Sequence, residues 1–172
     1  MLLLRSASCF ASSVVLLAGL CACAAKALVP GTSSEADVLK AMGQPADTRP
    51  LADGGRVLWY SMPVPNNAFG TQRYAANIGP DGTLRSLEQR LKPEFIRRVV
   101  PGKSRADDVR DLIGPPNRSY TLAGKPGEVW EYELDDFRPT MLYVQIAPDK
   151  VVSEVYTIEH SGQPSSSGAQ RR

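Results

Sequence analysis

Val100-Pro101-Gly102-Lys103-Ser104-Arg105-Ala106-Asp107-Asp108-Val109-Arg110-Asp111-Leu112-Ile113-Gly114-Pro115-Pro116 spells a turn, a helix and a stop in one short stretch. Pro-Gly opens a turn. Ser104 offers a side-chain oxygen for the first helical amides, with Asp107 at the capping-box position three residues on. Asp107 and Asp108 fall in the first turn, where the helix dipole favours carboxylates. Ala106, Val109, Leu112 and Ile113 share one helical face. Gly114 suits a left-handed C-terminal stop, and Pro115-Pro116 forbids continuation.

Beyond this stretch the periodicity changes from helical to alternating. Trp130, Tyr132 and Leu134 occupy one side of an extended segment while Glu131 and Glu133 occupy the other, so a half-buried strand is expected. Residues 141–147 and 151–158 follow as strands, joined by a turn at Pro148-Asp149-Lys150.

The same order of signals occurs earlier in the chain. Pro30-Gly31-x-Ser33 matches Pro101-Gly102-x-Ser104, Asp37-Val38 matches Asp108-Val109, Gly43-x-Pro45 matches Gly114-x-Pro116, and Trp59 matches Trp130, all 71 positions apart. Ile78-x-Pro80-Asp81 returns as Ile146-x-Pro148-Asp149 at a spacing of 68. So many identities in one order indicate an internal repeat. The first copy offers strands at 57–62, 72–78 and 84–91. The expected fold is α+β, two tandem helix-plus-antiparallel-meander units spanning 30–92 and 93–160. Pro93 to Val100 leads into the second unit as a short helix, with Phe95, Ile96 and Val99 inward, and the Ser/Gly/Gln/Pro-rich tail 161–172 is expected to be disordered.

Residues 1–22 have the layout of an export signal: Arg5 near the start, an apolar run over 14–20, then small residues. The run is shorter than the roughly 20 apolar residues a spanning helix requires. Leu20-Cys21-Ala22-Cys23 resembles a lipobox, which implies lipidation of Cys23 and a linker over 23–29. Cleavage before Cys21, or ordinary signal cleavage after Ala22, Ala24 or Ala25, remains an alternative. All three cysteines, Cys9, Cys21 and Cys23, lie in this leader region, so disulfides and cysteine-ligated metals are excluded from the folded part.

Charge points to no partner. The chain carries 20 basic and 18 acidic residues, and removal of 1–22 deletes only Arg5 among them. Nucleic-acid binding has no compositional support. His160, the single histidine, stands at the edge of the tail, and neither a Walker-type nor a dinucleotide-binding glycine motif occurs. The carboxylates Asp107-Asp108, Glu131/Glu133 and Asp135-Asp136 are accounted for by helix-start electrostatics, strand alternation and turn chemistry. The expectation is a non-enzymatic protein without cofactor or metal.

Contact features are more suggestive. The loop of residues 63–70 carries Asn66, Asn67 and Phe69, and its shorter counterpart 135–139 carries Phe137 and Arg138. These are candidate partner contacts, because aromatics on loops make good anchors. The alternative, that both phenylalanines fold back over the core, stays open. Arg97, Arg98 and Lys103 belong to a basic series, broken by Glu88 and Glu94, that is a candidate for anionic lipid headgroups.

The Pro-Gly-x-Ser, acidic-Val, Gly-x-Pro and Trp motifs together resemble the SmpA/OmlA (BamE-like) family of outer-membrane lipoproteins, and their doubling is similar to the architecture of β-lactamase inhibitor proteins. The first resemblance implies a protein anchored through palmitate-type acylation in the outer membrane and facing the periplasm. Such a protein would have a binding or scaffold role in envelope integrity or β-barrel assembly, with an envelope protein such as the barrel-assembly machine as partner. The second implies the alternative of a periplasmic inhibitor or sensor module that grips an enzyme such as a β-lactamase.

Overall fold

The computed structural model describes residues 27–65, 70–134 and 138–159. They form two four-stranded antiparallel sheets, each in sequential order. The first sheet comprises β1 (Asp47–Pro50), β2 (Arg56–Pro63), β3 (Thr71–Ile78) and β4 (Leu84–Gln89). The second comprises β5 (Arg118–Leu122), β6 (Lys125–Leu134), β7 (Thr140–Ile146) and β8 (Val152–Glu159). Helices α1 (Glu35–Met42), α2 (Pro93–Ile96) and α3 (Ala106–Ile113) contribute eight, four and eight residues.

This corrects the expected α+β fold of two helix-plus-antiparallel-meander units, BamE/β-lactamase-inhibitor-like. The body is mostly β, and two-turn helices cannot form a layer comparable with four-stranded sheets. The expectation erred at β1 and β5, whose sequences Asp-Thr-Arg-Pro and Arg-Ser-Tyr-Thr-Leu carry no apolar alternation. They are edge strands, whose stability comes from pairing with β2 and β6 rather than from a buried face.

The repeated Pro-Gly-x-Ser segment is a clip rather than a helix cap. Gly31 and Gly102 sit at φ 79° and 74°, which glycine adopts without steric cost. Gly31 N donates to Leu84 O and Leu84 N to Ser33 O, and Gly102 N and Val152 N repeat the pair with Val152 O and Ser104 O, all at 2.8 Å. The turn is thereby pinned to the start of the last strand of its sheet. The Ser33 and Ser104 side chains are buried, and their Oγ atoms accept from Val29 N and Val100 N at 2.9 Å. The caps lie one residue later than expected. Ser34 Oγ accepts from Asp37 N at 3.2 Å, and Arg105 N donates to Asp108 Oδ2, rather than to Asp107, at 2.7 Å. Ser33→Ala would strand the Val29 amide, and an expected loss of about 1–2 kcal/mol in urea unfolding checks this role.

Each helix packs on one face of its sheet. Val38 meets Leu58, Tyr60, Ala76, Ile78 and Leu84 in the first half. In the second half Val109 and Ile113 meet Trp130, Tyr132, Leu142, Val144 and Ile146, with Leu91 and Val99 of the connecting segment added. Full burial of such side chains contributes roughly 1.5–3 kcal/mol each.

The two tryptophans, though equivalent in the sequence repeat, lie on opposite faces. Trp59 pairs with Asp47 and Ala75, whereas the residue paired with Arg118 and Tyr143 is Glu131. Trp130 instead occupies the register position of Leu58, facing its own helix. A register shift between Tyr120 and Leu122 distinguishes the β5–β6 pair from the β1–β2 pair, and a one-residue slip exchanges the faces of a strand.

Trp59 therefore points away from α1, toward the second half. Its ring lies against Gly114, where an added Cβ would come within 2.7 Å of Cε3. On the same face Arg49 Nε reaches Asp111 Oδ1 at 3.1 Å, and Thr71 Oγ1 donates to Glu133 Oε2 at 3.1 Å. Arg73, 2% exposed, donates to Asn117 Oδ1 at 3.1 Å. Burial holds the Arg73 guanidinium below the usual arginine range, opposed by Tyr132 and Glu133. The centre of the first sheet is thus covered on both faces, by α1 on one side and by the second half on the other, with Ser61 and Pro63 exposed at the rim.

Burial raises Tyr60 and Tyr132 above the ordinary tyrosine value of 10.0. The folded state favours the neutral phenol, so their contribution is intact below pH 10 and is lost as pH rises through the raised values. Urea midpoints are expected to fall on the alkaline side of about pH 10 with the appearance of tyrosinate absorbance; a flat midpoint there would contradict this assignment.

Candidate binding surfaces

Cys23, Asn66, Asn67, Phe69 and Phe137 lie outside the described residues, as do the leader 1–22, Asp135-Asp136, His160 and the tail 161–172. The roots of the two candidate loops are nevertheless brought together. The Thr71–Glu133 hydrogen bond joins the strand leaving the first loop to the strand entering the second. Arg138 is exposed and ion-paired with Glu159 at 3.1 Å.

The basic series is dispersed. Arg97, Arg98 and Lys103 are all exposed, and Arg98 and Lys103 line a shallow groove with Val100 and Leu112 that also contains Asp108 and Asp111. Arg85 is ion-paired with Asp53, and Arg90 with Glu88. Acidic residues therefore divide the surface that was expected to meet headgroups.

The surface that sequence reading missed is the outer face of the second sheet. In the first sheet the corresponding face holds Trp59, Arg73 and Ala75 and is buried. In the second it holds Glu131, Tyr143 and Tyr156 in one cross-strand row, with Met141 and Ile158 beside Glu133 in the next. Tyr143 and Tyr156 stack with ring centroids 5.3 Å apart. Tyr120, two residues beyond the Arg118 that pairs with Glu131, lies on the same face from β5. Tyr120, Tyr156 and Ile158 are 37%, 39% and 44% exposed. The signal was available in Tyr143 and Tyr156, aromatic residues at the outward positions of strands whose neighbours point inward.

Partial desolvation, reinforced by Glu131, raises Tyr120 and Tyr143 above the usual tyrosine value, which favours their neutral phenol forms. Phenol faces supply broad apolar contact and a hydrogen-bonding tip, and the carboxylates accept from donors on a partner. Among the described residues no group of three or more His, Cys, Asp and Glu is arranged to hold a metal ion, and no helix is long and apolar enough to cross a membrane.

No protein-family model matches the chain, and no curated protein matches it. Among solved structures it is similar to the crystal structure of a DUF4309 family protein (YjgB) from Bacillus subtilis subsp. subtilis str. 168. The two are 22% identical over 78% of this chain and 84% of that chain, with a TM-score of 0.31.

Proposed function

We propose that this chain is a lipid-anchored outer-membrane protein that faces the periplasm and binds an envelope protein through the outer face of its second sheet. Its role is that of a scaffold in envelope integrity or β-barrel assembly, and it performs no catalysis. The observation that carries the binding reading is the contrast between two related sheets, one covered on both faces and one with Tyr120, Tyr156 and Ile158 left open. Clustered exposed aromatic and apolar side chains on a folded body mark contact surfaces. The leader, the lipobox-like Leu20-Cys21-Ala22-Cys23 and the resemblance to SmpA/OmlA lipoproteins support the envelope setting.

A photo-crosslinking residue placed at Tyr156 is expected to capture one envelope protein in living cells, whereas the same residue at the exposed Lys40 on α1 is not. Equal capture at both positions, or none at Tyr156, would count against this surface. Mass spectrometry of the mature N-terminus tests the anchor, with acylated Cys23 expected and an unmodified terminus contradicting it.

A further inference from the structure

β8 is the last strand of its sheet and pairs with a neighbouring strand on one side only, through β7. Its first residue is already matched on the other side, since Val152 exchanges main-chain hydrogen bonds with Gly102 and Ser104 of the clip. Beyond Val152 that edge is bare among the described residues.

Which main-chain groups face the bare edge follows from the pairing. Ala147 N donates to Val151 O at 2.8 Å, so the main chain of Ala147 is turned toward β8, and alternation along β7 turns Gln145, Tyr143 and Met141 the same way. Their register partners are Glu154, Tyr156 and Ile158, with the extra residue of β8 absorbed at the register shift between Gln145 and Ile146. The N–H and C=O groups of Val155, Thr157 and Glu159 therefore point to the free edge. Donors and acceptors in a row at that spacing are matched by another extended main chain, not by a helix or a group of side chains.

The other edges are guarded. β1 is four residues long and ends in Pro50. β5 is five residues long and loses register between Tyr120 and Leu122. β4, the counterpart of β8, is half-buried over 86–89. β8 runs for eight residues without proline, glycine or lysine, and it is exposed at Glu154 and over 156–159. Short strands, prolines and irregular register keep edges from pairing, and β8 past its bulge has none of them.

Charge decides between a second copy and another protein. β8 carries Glu154 and Glu159 and no cation, so antiparallel pairing with itself would bring carboxylates of the two copies close together, which destabilises paired strands. On the outer face Tyr156 and Ile158 stand beside Tyr143 and Met141, so an added strand would lay its own outward residues against an aromatic and an aliphatic side chain.

Building on the proposed contact at this sheet, we propose that the partner adds one of its own extended segments to β8 as a fifth strand, in line with the clip and along Val155, Thr157 and Glu159. That segment carries apolar residues beside Tyr156 and Ile158 and a basic residue beside Glu154.

The test places a photo-crosslinking residue singly at Glu154, Tyr156 and Ile158 of the full-length chain in living cells and maps the crosslinked partner residues by mass spectrometry. The three positions are expected to reach one partner segment at sites that advance by about two residues per step, the period of a strand. Thr157→Pro, which removes an amide facing the free edge, is expected to lower capture from a photo-crosslinking residue at Tyr120 at least tenfold, whereas Thr157→Val, which keeps the amide, changes it less than twofold. Capture at Tyr156 with crosslinks scattered over separate segments, or advancing by three or four residues, would overturn the added strand and leave contact through the sheet face standing. Undiminished capture with Thr157→Pro, or crosslinks to a second copy of this chain alone, would also overturn it. No capture at any of the three positions would overturn both the added strand and the contact face. The crosslink map leaves the main chain unaltered, so it decides the matter even if Thr157→Pro does not fold.

Discussion

Gly114→Val is expected to destabilise the chain by about 3–5 kcal/mol, and Gly43→Val by only about 1–3 kcal/mol. Both glycines end a helix at φ near +80°, with ψ of −157° at Gly43 and −172° at Gly114, a region other residues enter only with strain. The backbone cost is therefore common to the two. They differ in what an added side chain meets. At Gly43 nothing lies within 4 Å, whereas at Gly114 the Trp59 ring stands at 2.7 to 3.1 Å. Trp59 is walled in and cannot yield easily, because β1, β3 and the second half surround it. Urea unfolding of the two variants isolates the contact between halves as the difference between their losses. Equal losses would mean that the second half does not press on Trp59.

The second large effect is on binding. Tyr120→Ser together with Tyr156→Ser is expected to reduce partner recovery from crosslinked membranes at least tenfold. Stability should change far less, because both side chains are more than a third exposed and lie outside both core clusters. The loss follows from truncating two aromatic anchors on one face, where contact energy concentrates in a few large side chains. Thermal unfolding of the double variant separates the two effects. If recovery falls only in proportion to lost folded protein, the face is not the contact surface.

Much of the chain's order was legible from local chemistry. Gly114 followed by two prolines stops α3, and the alternation of Trp130 and Tyr132 with glutamates placed β6 correctly on its core face. β1 and β5 were not legible, because an edge strand held by main-chain pairing needs no apolar signature. The serine assignments failed for a different reason. Ser33 and Ser104 have the right side chain for a helix cap, but they are spent holding the turn that precedes it; Ser34 caps α1, and at α3 Asp108 reaches back to accept from the Arg105 amide. The pairing of Trp59 with Trp130 misled because identity at equal spacing carries no information about which face a strand presents. A single extra residue in the β5–β6 register turned Trp130 into its own core, whereas Trp59 keeps the opposite face and lies against the neighbouring half.

That slip also explains why the candidate surface escaped notice. Trp59 on the outer face of the first sheet calls for a cover, and the second half provides it. Glu131 at the matching position of the second sheet requires none, so the tyrosines around it remain open.

The proposed contact surface rests on an asymmetry between two outer faces, one largely covered within the chain and the other with Tyr120, Tyr156 and Ile158 exposed. Hydroxyl-radical footprinting of the chain in native membranes and after purification tests it directly. Tyr120 and Tyr156 are predicted to be oxidised in the purified chain and protected in membranes, while Trp59 is protected in both. Oxidation of Trp59 in the purified chain at a rate like that of Tyr156, or equal oxidation of Tyr120 and Tyr156 in both settings, would contradict it.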